Sequence, residues 1–200
     1  MIIHEMPQRS DAWYAVRAGK FTASVFDDLM PSSRQKINEF NKTQMGIIYR
    51  LAAERTTGQP INGGFVSQAM QHGIDTEDEA RIAFEFKTGL EVKQVGFVES
   101  DDWIGCSPDG LTELSGLEIK CPNSDTHLRY LREGFGEDYF YQVQGAMWIS
   151  ERETWNLVSF DPRFPEAQQL YREIKTPNEK AMVLRLRLHY AIEKAKELIG

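Results

Sequence analysis

Hydrophobic and polar positions along the chain change period four times, and each change marks a change of predicted element. Ser10 is placed to cap a short helix over residues 11–18, which Gly19 ends. Thr22 or Ser24 is placed to cap a second helix that stops before Pro31. Residues 38–57 carry Met45, Ile48, Leu51 and Ala52 at helical spacing and run up to Gly58, which predicts a long helix. Thr76-Glu77-Asp78-Glu79 has the form of a capping box ahead of a helix over 80–88 that Gly89 closes. The period then drops towards two. Residues 91–99 alternate and are rich in Val and Phe, predicting a strand, and two shorter strands follow over 102–106 and 117–121. Helical spacing returns over 126–133 and 139–149. Residues 154–160 read as a strand of aromatic and β-branched residues, and 182–199 as a long amphipathic helix. Helices on both sides of a group of strands predict an α/β layer arrangement. No repeat, low-complexity tract or linker interrupts the chain, so residues 1–200 read as a single domain ending in that amphipathic helix.

Composition narrows the class. Apolar residues make up 41% and charged residues 26%, with 22 aromatics, the balance of a globular chain with a core of its own. No apolar run approaches the roughly 18 residues of a membrane helix, so no membrane partner is expected. The segment MIIHEMPQRSDAW has neither the basic nor the apolar region of a signal peptide. Two cysteines, Cys106 and Cys121, are too few for a disulfide framework or a four-cysteine metal or iron–sulfur site, which makes the cytosol the default compartment. His4, His72, His127 and His189 lack metal-ligand spacing with one another.

The net charge of −7 gives no advance notice of a nucleic-acid partner. Its distribution is uneven: residues 1–60 sum to +2, residues 61–120 to −8 and residues 121–200 to −1. An acidic middle is either a solvated face or a site for divalent cations.

The middle contains Ser107-Pro108-Asp109-Gly110 and, after it, Leu117-Glu118-Ile119-Lys120. Pro108 and Gly110 put Asp109 at a tight turn. On a strand, Glu118 and Lys120 point to one face and Ile119 to the other. A hairpin that folds Asp109 beside Glu118 gathers two carboxylates and an ammonium. Hard divalent cations take such oxygens, and Lys120 is then placed to position or deprotonate a water. Taken alone, Glu-x-Lys is more often a surface ion pair.

The spacing, with eight residues between Asp109 and Glu118, is that of the PD-(D/E)xK nucleases. Three more segments accompany it: Trp13-Tyr14-Ala15-Val16-Arg17-Ala18-Gly19-Lys20-Phe21-Thr22-Ala23-Ser24, His72-Gly73-Ile74-Asp75-Thr76-Glu77-Asp78-Glu79-Ala80-Arg81 and Tyr141-Gln142-Val143-Gln144-Gly145-Ala146-Met147-Trp148. In this order the chain, from about Arg9 to its C-terminal helix, resembles the phage-λ exonuclease (YqaJ-type viral recombinase) family. The resemblance implies a restriction-endonuclease-like fold, with a central mixed β-sheet flanked by helices. It implies that Asp109, Glu118 and the Ile119 carbonyl hold metal, that Glu77 lies at a second metal, and that Lys120 activates or orients the attacking water. Arg17, Ser24 and Ser107 correspond to the residues that bind the 5′ phosphate of DNA. Gln142 and Gln144 correspond to the glutamines at the active-site rim, although a buried helix amide is an equal reading of Gln144. His72 departs from the Trp that the resemblance implies at this position, and it either stacks near DNA or merely packs.

The implied activity is an alkaline-type 5′→3′ exonuclease on double-stranded DNA that uses two Mg²⁺ per site, with Mn²⁺ a possible substitute. It releases 5′ mononucleotides and leaves a 3′ single strand for recombination. The implied partners are double-stranded DNA ends, two more copies in a homotrimeric ring, and a single-strand annealing protein. The implied setting is the bacterial cytosol, with a phage or prophage origin. Arg9, Arg17, Lys20, Arg34, Lys36, Lys42 and Arg50 are candidates for the ring's channel, or an ordinary solvated surface. Two rivals remain: another nuclease of the superfamily, such as a sequence-specific endonuclease or junction resolvase, and a non-catalytic DNA-binding module.

Overall fold

The computed structural model describes residues 1–61 and 68–200. Eight strands and seven α-helices lie among them: β1 (Ile2–His4), α1 (Asp11–Arg17), β2 (Phe21–Thr22), α2 (Phe26–Leu29), α3 (Lys42–Thr57), α4 (Gln68–Thr88), β3 (Phe97–Asp101), β4 (Ile104–Cys106), β5 (Gly110–Leu111), β6 (Ser115–Lys120), α5 (Ser124–Glu133), α6 (Phe140–Ser150), β7 (Thr154–Phe160), β8 (Leu170–Lys175) and α7 (Met182–Ile199).

The α/β arrangement is as expected, and its strands form two four-stranded mixed sheets. One has the order β1-β3-β4-β2 and the other β5-β6-β7-β8. The chain crosses between them at Ser107-Pro108-Asp109, where Pro108 has no N–H to give to a ladder. The Asp109 N–H bonds the Leu117 carbonyl at 3.0 Å, so the turn carrying this carboxylate is the seam between the sheets. β6 and β7 are parallel, with Glu118 beside Leu157 and Lys120 beside Ser159.

Two apolar clusters hold the layers. Ala80 and Phe84, one turn apart on α4, cover Leu117, Ile119, Val158 and Phe160 of β6 and β7. On the other side Val143, Ala146 and Met147 of α6 join Phe26 and Leu29 of α2, Ile48 and Leu51 of α3, and Leu184 and Leu188 of α7. α6 comes close because Gly145 has no side chain; a Cβ there would lie 2.4 Å from the Phe26 ring.

α1 starts at Ser10, whose hydroxyl accepts the Trp13 N–H, and ends at Gly19, which takes φ +71°. α3 starts at Lys42, behind a capping box between Asn41 and Gln44 and four residues later than the pattern places it. Residues 30–41, which have no regular structure, are held from afar. Arg187 of α7 is fully buried, and its guanidinium donates to the carbonyls of Leu29, Ile37 and Glu39 and to Gln44 Oε1 at 2.6–2.9 Å.

Several expectations need correction. Thr76 caps nothing: α4 is continuous through it, and its hydroxyl bonds the His72 carbonyl one turn back at 2.7 Å. Neither Thr22 nor Ser24 caps a helix; their hydroxyls lie 3.1 Å apart. The strand expected over 91–99 is confined to β3, with residues 91–96 making only the isolated Lys93–Leu111 bridge. β1, β2, β5 and β8 were not anticipated.

Candidate active site

Asp109 leaves the seam with its carboxylate turned along β6. Its Oδ2 accepts the Ile119 N–H at 2.6 Å. In an extended strand a residue's N–H and C=O face the same side, so the Ile119 carbonyl also faces Asp109. Burial raises the Asp109 carboxyl well above its ordinary range. Glu118 and Glu77 push the same way, while the Ile119 N–H and Lys120 oppose them.

Strand alternation puts Glu118 and Lys120 together on the face that α6 covers. Lys120 Nζ donates to Glu118 Oε1 at 2.7 Å, and Gln142 Nε2 donates to the same oxygen at 2.5 Å. Lys120 also reaches Gln142 Oε1 at 3.4 Å and sits 4.3 Å above the Tyr139 ring. Burial opposes the lysine's charge, but Glu118 outweighs it and raises the ammonium's pKa. Gln142 is itself placed from a distance: the Asp27 carboxylate accepts the N–H groups of Tyr141 and Gln142, each at 2.9 Å, at the start of α6.

Arg17 extends from the end of α1 under the Trp13 ring, 4.1 Å from its centroid. Its Nη1 donates to Ser107 Oγ at 2.7 Å and its Nη2 reaches Thr22 Oγ1 at 3.4 Å, with Ser24 beside Thr22. Trp13 Nε1 donates to the same Ser107 hydroxyl at 3.0 Å. Burial brings the guanidinium's pKa down to about 10, which leaves it charged at neutral pH. One cavity of about 380 Å³ is lined by Arg17, Ser24 and Ser107 together with Glu118, Lys120 and Gln142.

Glu77 stands across Asp109 from that cavity. It borders a second one of about 360 Å³, with Arg9, Arg81 and Asp109. Arg9 and Arg81 hold its two oxygens, and Arg81 also donates to the Asp109 carbonyl at 3.3 Å. Among the described residues no three carboxylate, imidazole or thiol groups stand close enough together to hold an ion in these rotamers. The donor set nonetheless fits a hard divalent cation. Asp109 and Glu118, nine residues apart in the chain, come together on paired backbone with the Ile119 carbonyl towards Asp109, and a cation would relieve the repulsion from Glu118 that adds to burial in raising the Asp109 carboxyl.

Gln144 is not at the rim. It is buried on the opposite side of α6, where its amide donates to the Thr176 carbonyl at 2.8 Å and accepts the Asn178 N–H at 2.9 Å. Two residues along a helix turn it about 200° from Gln142, so the two glutamines cannot share a face. Lys20 is spent on Glu99 at 3.0 Å and does not serve as a free channel cation. Cys106 and Cys121 are free thiols; burial, with Asp109 and Glu77 nearby, pushes Cys121 up to about 12. Trp13, Thr22, Asp27, Arg81 and Tyr139 are site residues the sequence reading did not assign. Trp13, Thr22 and Arg81 lay inside quoted motifs, whereas nothing local marks Asp27 or Tyr139.

The model of the YqaJ-like viral recombinase domain matches residues 12–153, which spans the site residues from Trp13 to Gln144 and leaves out Arg9. No curated protein sequence is significantly similar to the chain. Among solved structures, the alkaline exonuclease LHK-Exo from Laribacter hongkongensis superposes with a TM-score of 0.84 at 27% identity, over 95% of this chain and 94% of that one. A second structure of LHK-Exo, in complex with dAMP, gives 0.83 at 27% identity with the same coverage. A phage related exonuclease from Haemophilus somnus 129PT shares the fold, with a TM-score of 0.72 at 16% identity, over 90% of this chain and 95% of that one. With a family match over most of its length and the fold of an alkaline exonuclease, the chain belongs to the YqaJ-like viral recombinase family.

Proposed function

We propose that this λ-exonuclease-like nuclease is a Mg²⁺-dependent 5′→3′ exonuclease on double-stranded DNA ends. It releases 5′ mononucleotides and leaves a 3′ single strand for recombination by strand annealing. The observation that carries this reading is the shared cavity, in which the Arg17–Ser107 pair and the Glu118–Lys120–Gln142 cluster line one space. A planar guanidinium and two hydroxyls suit a terminal phosphate, which carries more charge than an internal diester. A phosphate held there lies beside the group that handles water. The dAMP-bound relative supports a nucleoside monophosphate as a ligand of this fold.

Asp109, Glu118 and the Ile119 carbonyl are the residues that would hold the first ion, and Glu77 would serve a second after release from Arg9. Mg²⁺, or Mn²⁺ in its place, supplies charge stabilisation at the phosphate oxygens. Lys120, kept as an ammonium by Glu118 and fixed by Gln142 and the Tyr139 ring, orients the attacking water and stabilises the hydroxide that forms as the water's proton leaves to solvent. Ring closure by three copies around DNA and delivery of the 3′ strand to an annealing protein belong to the same proposal. An acidic exterior around a basic channel accords with the net charge of −7. No helix among the described residues is long and apolar enough to cross a membrane.

The test is digestion with Mg²⁺ of three substrates: linear duplex with 5′-phosphate ends, linear duplex with 5′-hydroxyl ends, and closed circular duplex. Mononucleotides from linear DNA, faster from phosphorylated ends, with circles left intact, is the expected result. Equal cutting of circles would instead assign the site to an endonuclease.

A further inference from the structure

Asp161 follows β7 and is completely buried. Its carboxylate accepts from Ser124 Oγ at 2.7 Å, from the Arg163 backbone N–H at 3.0 Å, and from Arg163 Nε and Nη2 at 2.7 and 2.9 Å. Burial favours the protonated acid, but these donors outweigh it and hold the carboxyl down to about 2. One edge of the Arg163 guanidinium is thereby fixed in plane. The rest stays open, since the side chain is 51% exposed and Nη1 has no partner among the described residues. Nη2 also faces His72 Nε2 and the Pro122 carbonyl, each at 3.4 Å. His72 Nδ1 lies 3.3 Å from Thr76 Oγ1, whose own proton goes to the His72 carbonyl, so the imidazole is oriented from behind.

Capping a single carbonyl does not require a fully buried carboxylate, which is costly to desolvate. Its two bonds to Arg163 Nε and Nη2 instead hold the guanidinium in one plane. The location gives the aim a purpose. Pro122 lies two residues past Lys120, and His72 lies five residues before Glu77 on α4. β6 runs between β5 and β7, so Ser107–Asp109 and Asp161–Arg163 flank the same end of β6 from its two sides.

We propose that Arg163, oriented by Asp161 and backed by His72, binds a backbone phosphate of the DNA duplex on the side of the carboxylate site away from Arg17. This rests on the duplex-nuclease reading above. A guanidinium with a free edge pairs with phosphate oxygens and carries no sequence information, so the contact positions the duplex without selecting a sequence. Arg17 and Arg163 then grip DNA on either side of the bond to be cut.

The experiment is equilibrium binding of a labelled duplex end, with Ca²⁺ replacing Mg²⁺ to suppress cleavage, over a range of salt concentrations. Wild-type protein is compared with Arg163→Gln, which keeps a donor for Asp161, with Arg163→Lys, and with His72→Glu. One lost phosphate contact lowers the slope of log affinity against log salt by about 0.9. Arg163→Gln should show that loss and bind about tenfold more weakly, while Arg163→Lys keeps the slope. His72→Glu sets a second carboxylate against Arg163 Nη2, offsetting the charge offered to the phosphate, and should weaken binding at least as much without touching buried Asp161. Wild-type affinity and slope in both Arg163→Gln and His72→Glu would overturn the inference. Failure of the wild-type protein to bind any duplex would instead overturn the nuclease reading beneath it.

Discussion

Asp109 and Ile119 share a hydrogen bond of 2.6 Å from backbone to carboxylate, which ties the first carboxylate of the site to the strand that carries the second. The separation of Asp109 from Glu118 is therefore set by main chain, with little side-chain freedom to lose when a cation binds.

Replacing Asp109 with Asn should abolish cleavage while leaving the metal-free fold at least as stable. The amide oxygen still accepts the Ile119 N–H, and a charge crowded by Glu118 and Glu77 is removed. The folded carboxyl is raised above its unfolded value, so its favourable contribution is full below about pH 3.8 and disappears as pH rises through the folded value. Thermal melts in EDTA should show Asp109→Asn gaining on wild type at neutral pH and losing that lead at pH 3. Wild-type cleavage by the variant would remove Asp109 from the metal site.

For Lys120→Met, the expected outcome is a cleavage rate lower by on the order of 10²-fold or more, with duplex affinity nearly unchanged. Single-turnover rates at saturating DNA isolate the chemical step. A loss of affinity in proportion to the rate would make Lys120 an ion-pair partner of Glu118 and nothing further.

Arg17→Ala should erase the preference for 5′-phosphorylated over 5′-hydroxyl ends and shorten the product made per binding event. Slow distributive cutting should persist, because Asp109, Glu118 and Lys120 do not depend on Arg17. Product length against time, with excess unlabelled trap DNA, reads both effects. Unchanged processivity and end preference would leave Arg17 as packing for Trp13.

Acid should expose the Asp161 cluster. Its carboxyl is held down to about 2, so the stability it lends is complete above about pH 3.8 and is lost as pH falls through 2. Ser124→Ala removes one donor and should move the acid-unfolding midpoint, followed by circular dichroism, to higher pH. An unmoved midpoint would mean that Arg163 alone sets this carboxyl.

Gly145→Val should destabilise by about 1–3 kcal/mol, because the added methyls meet the Phe26 ring. Since α6 also carries Gln142, the variant should lose activity before it loses its fold. Chemical denaturation alongside rate measurement separates the two.

The sequence made legible those parts of the fold and site whose causes are local. Ser10 and Gly19 mark the ends of α1 by cap chemistry, and Glu118 and Lys120 share a face by the two-residue period of a strand. Gln144 went astray because sequence position does not say which side of α6 meets the 176–178 segment. Thr76 misled because its side chain can either cap a helix or bond back along one, and the continuous α4 selects the second. Asp27 and Tyr139 act through contacts made by folding, the first across more than a hundred residues. β1, β2 and β5 escaped notice because two or three residues establish no period, and β8 because its charged Arg172, Glu173 and Lys175 fall on both faces of the strand and leave no apolar alternation.

Arg187 joins two parts of the chain that would otherwise open independently. Its guanidinium ties the Ile37 and Glu39 carbonyls of the 30–41 loop, and Leu29 just before it, to α7. Amide hydrogen exchange in that loop should consequently follow the docking of α7 and not the loop's own exposure, and the two should open as one cooperative unit. A peptide bond in the loop would become available to a protease only when the C-terminal helix lifts away.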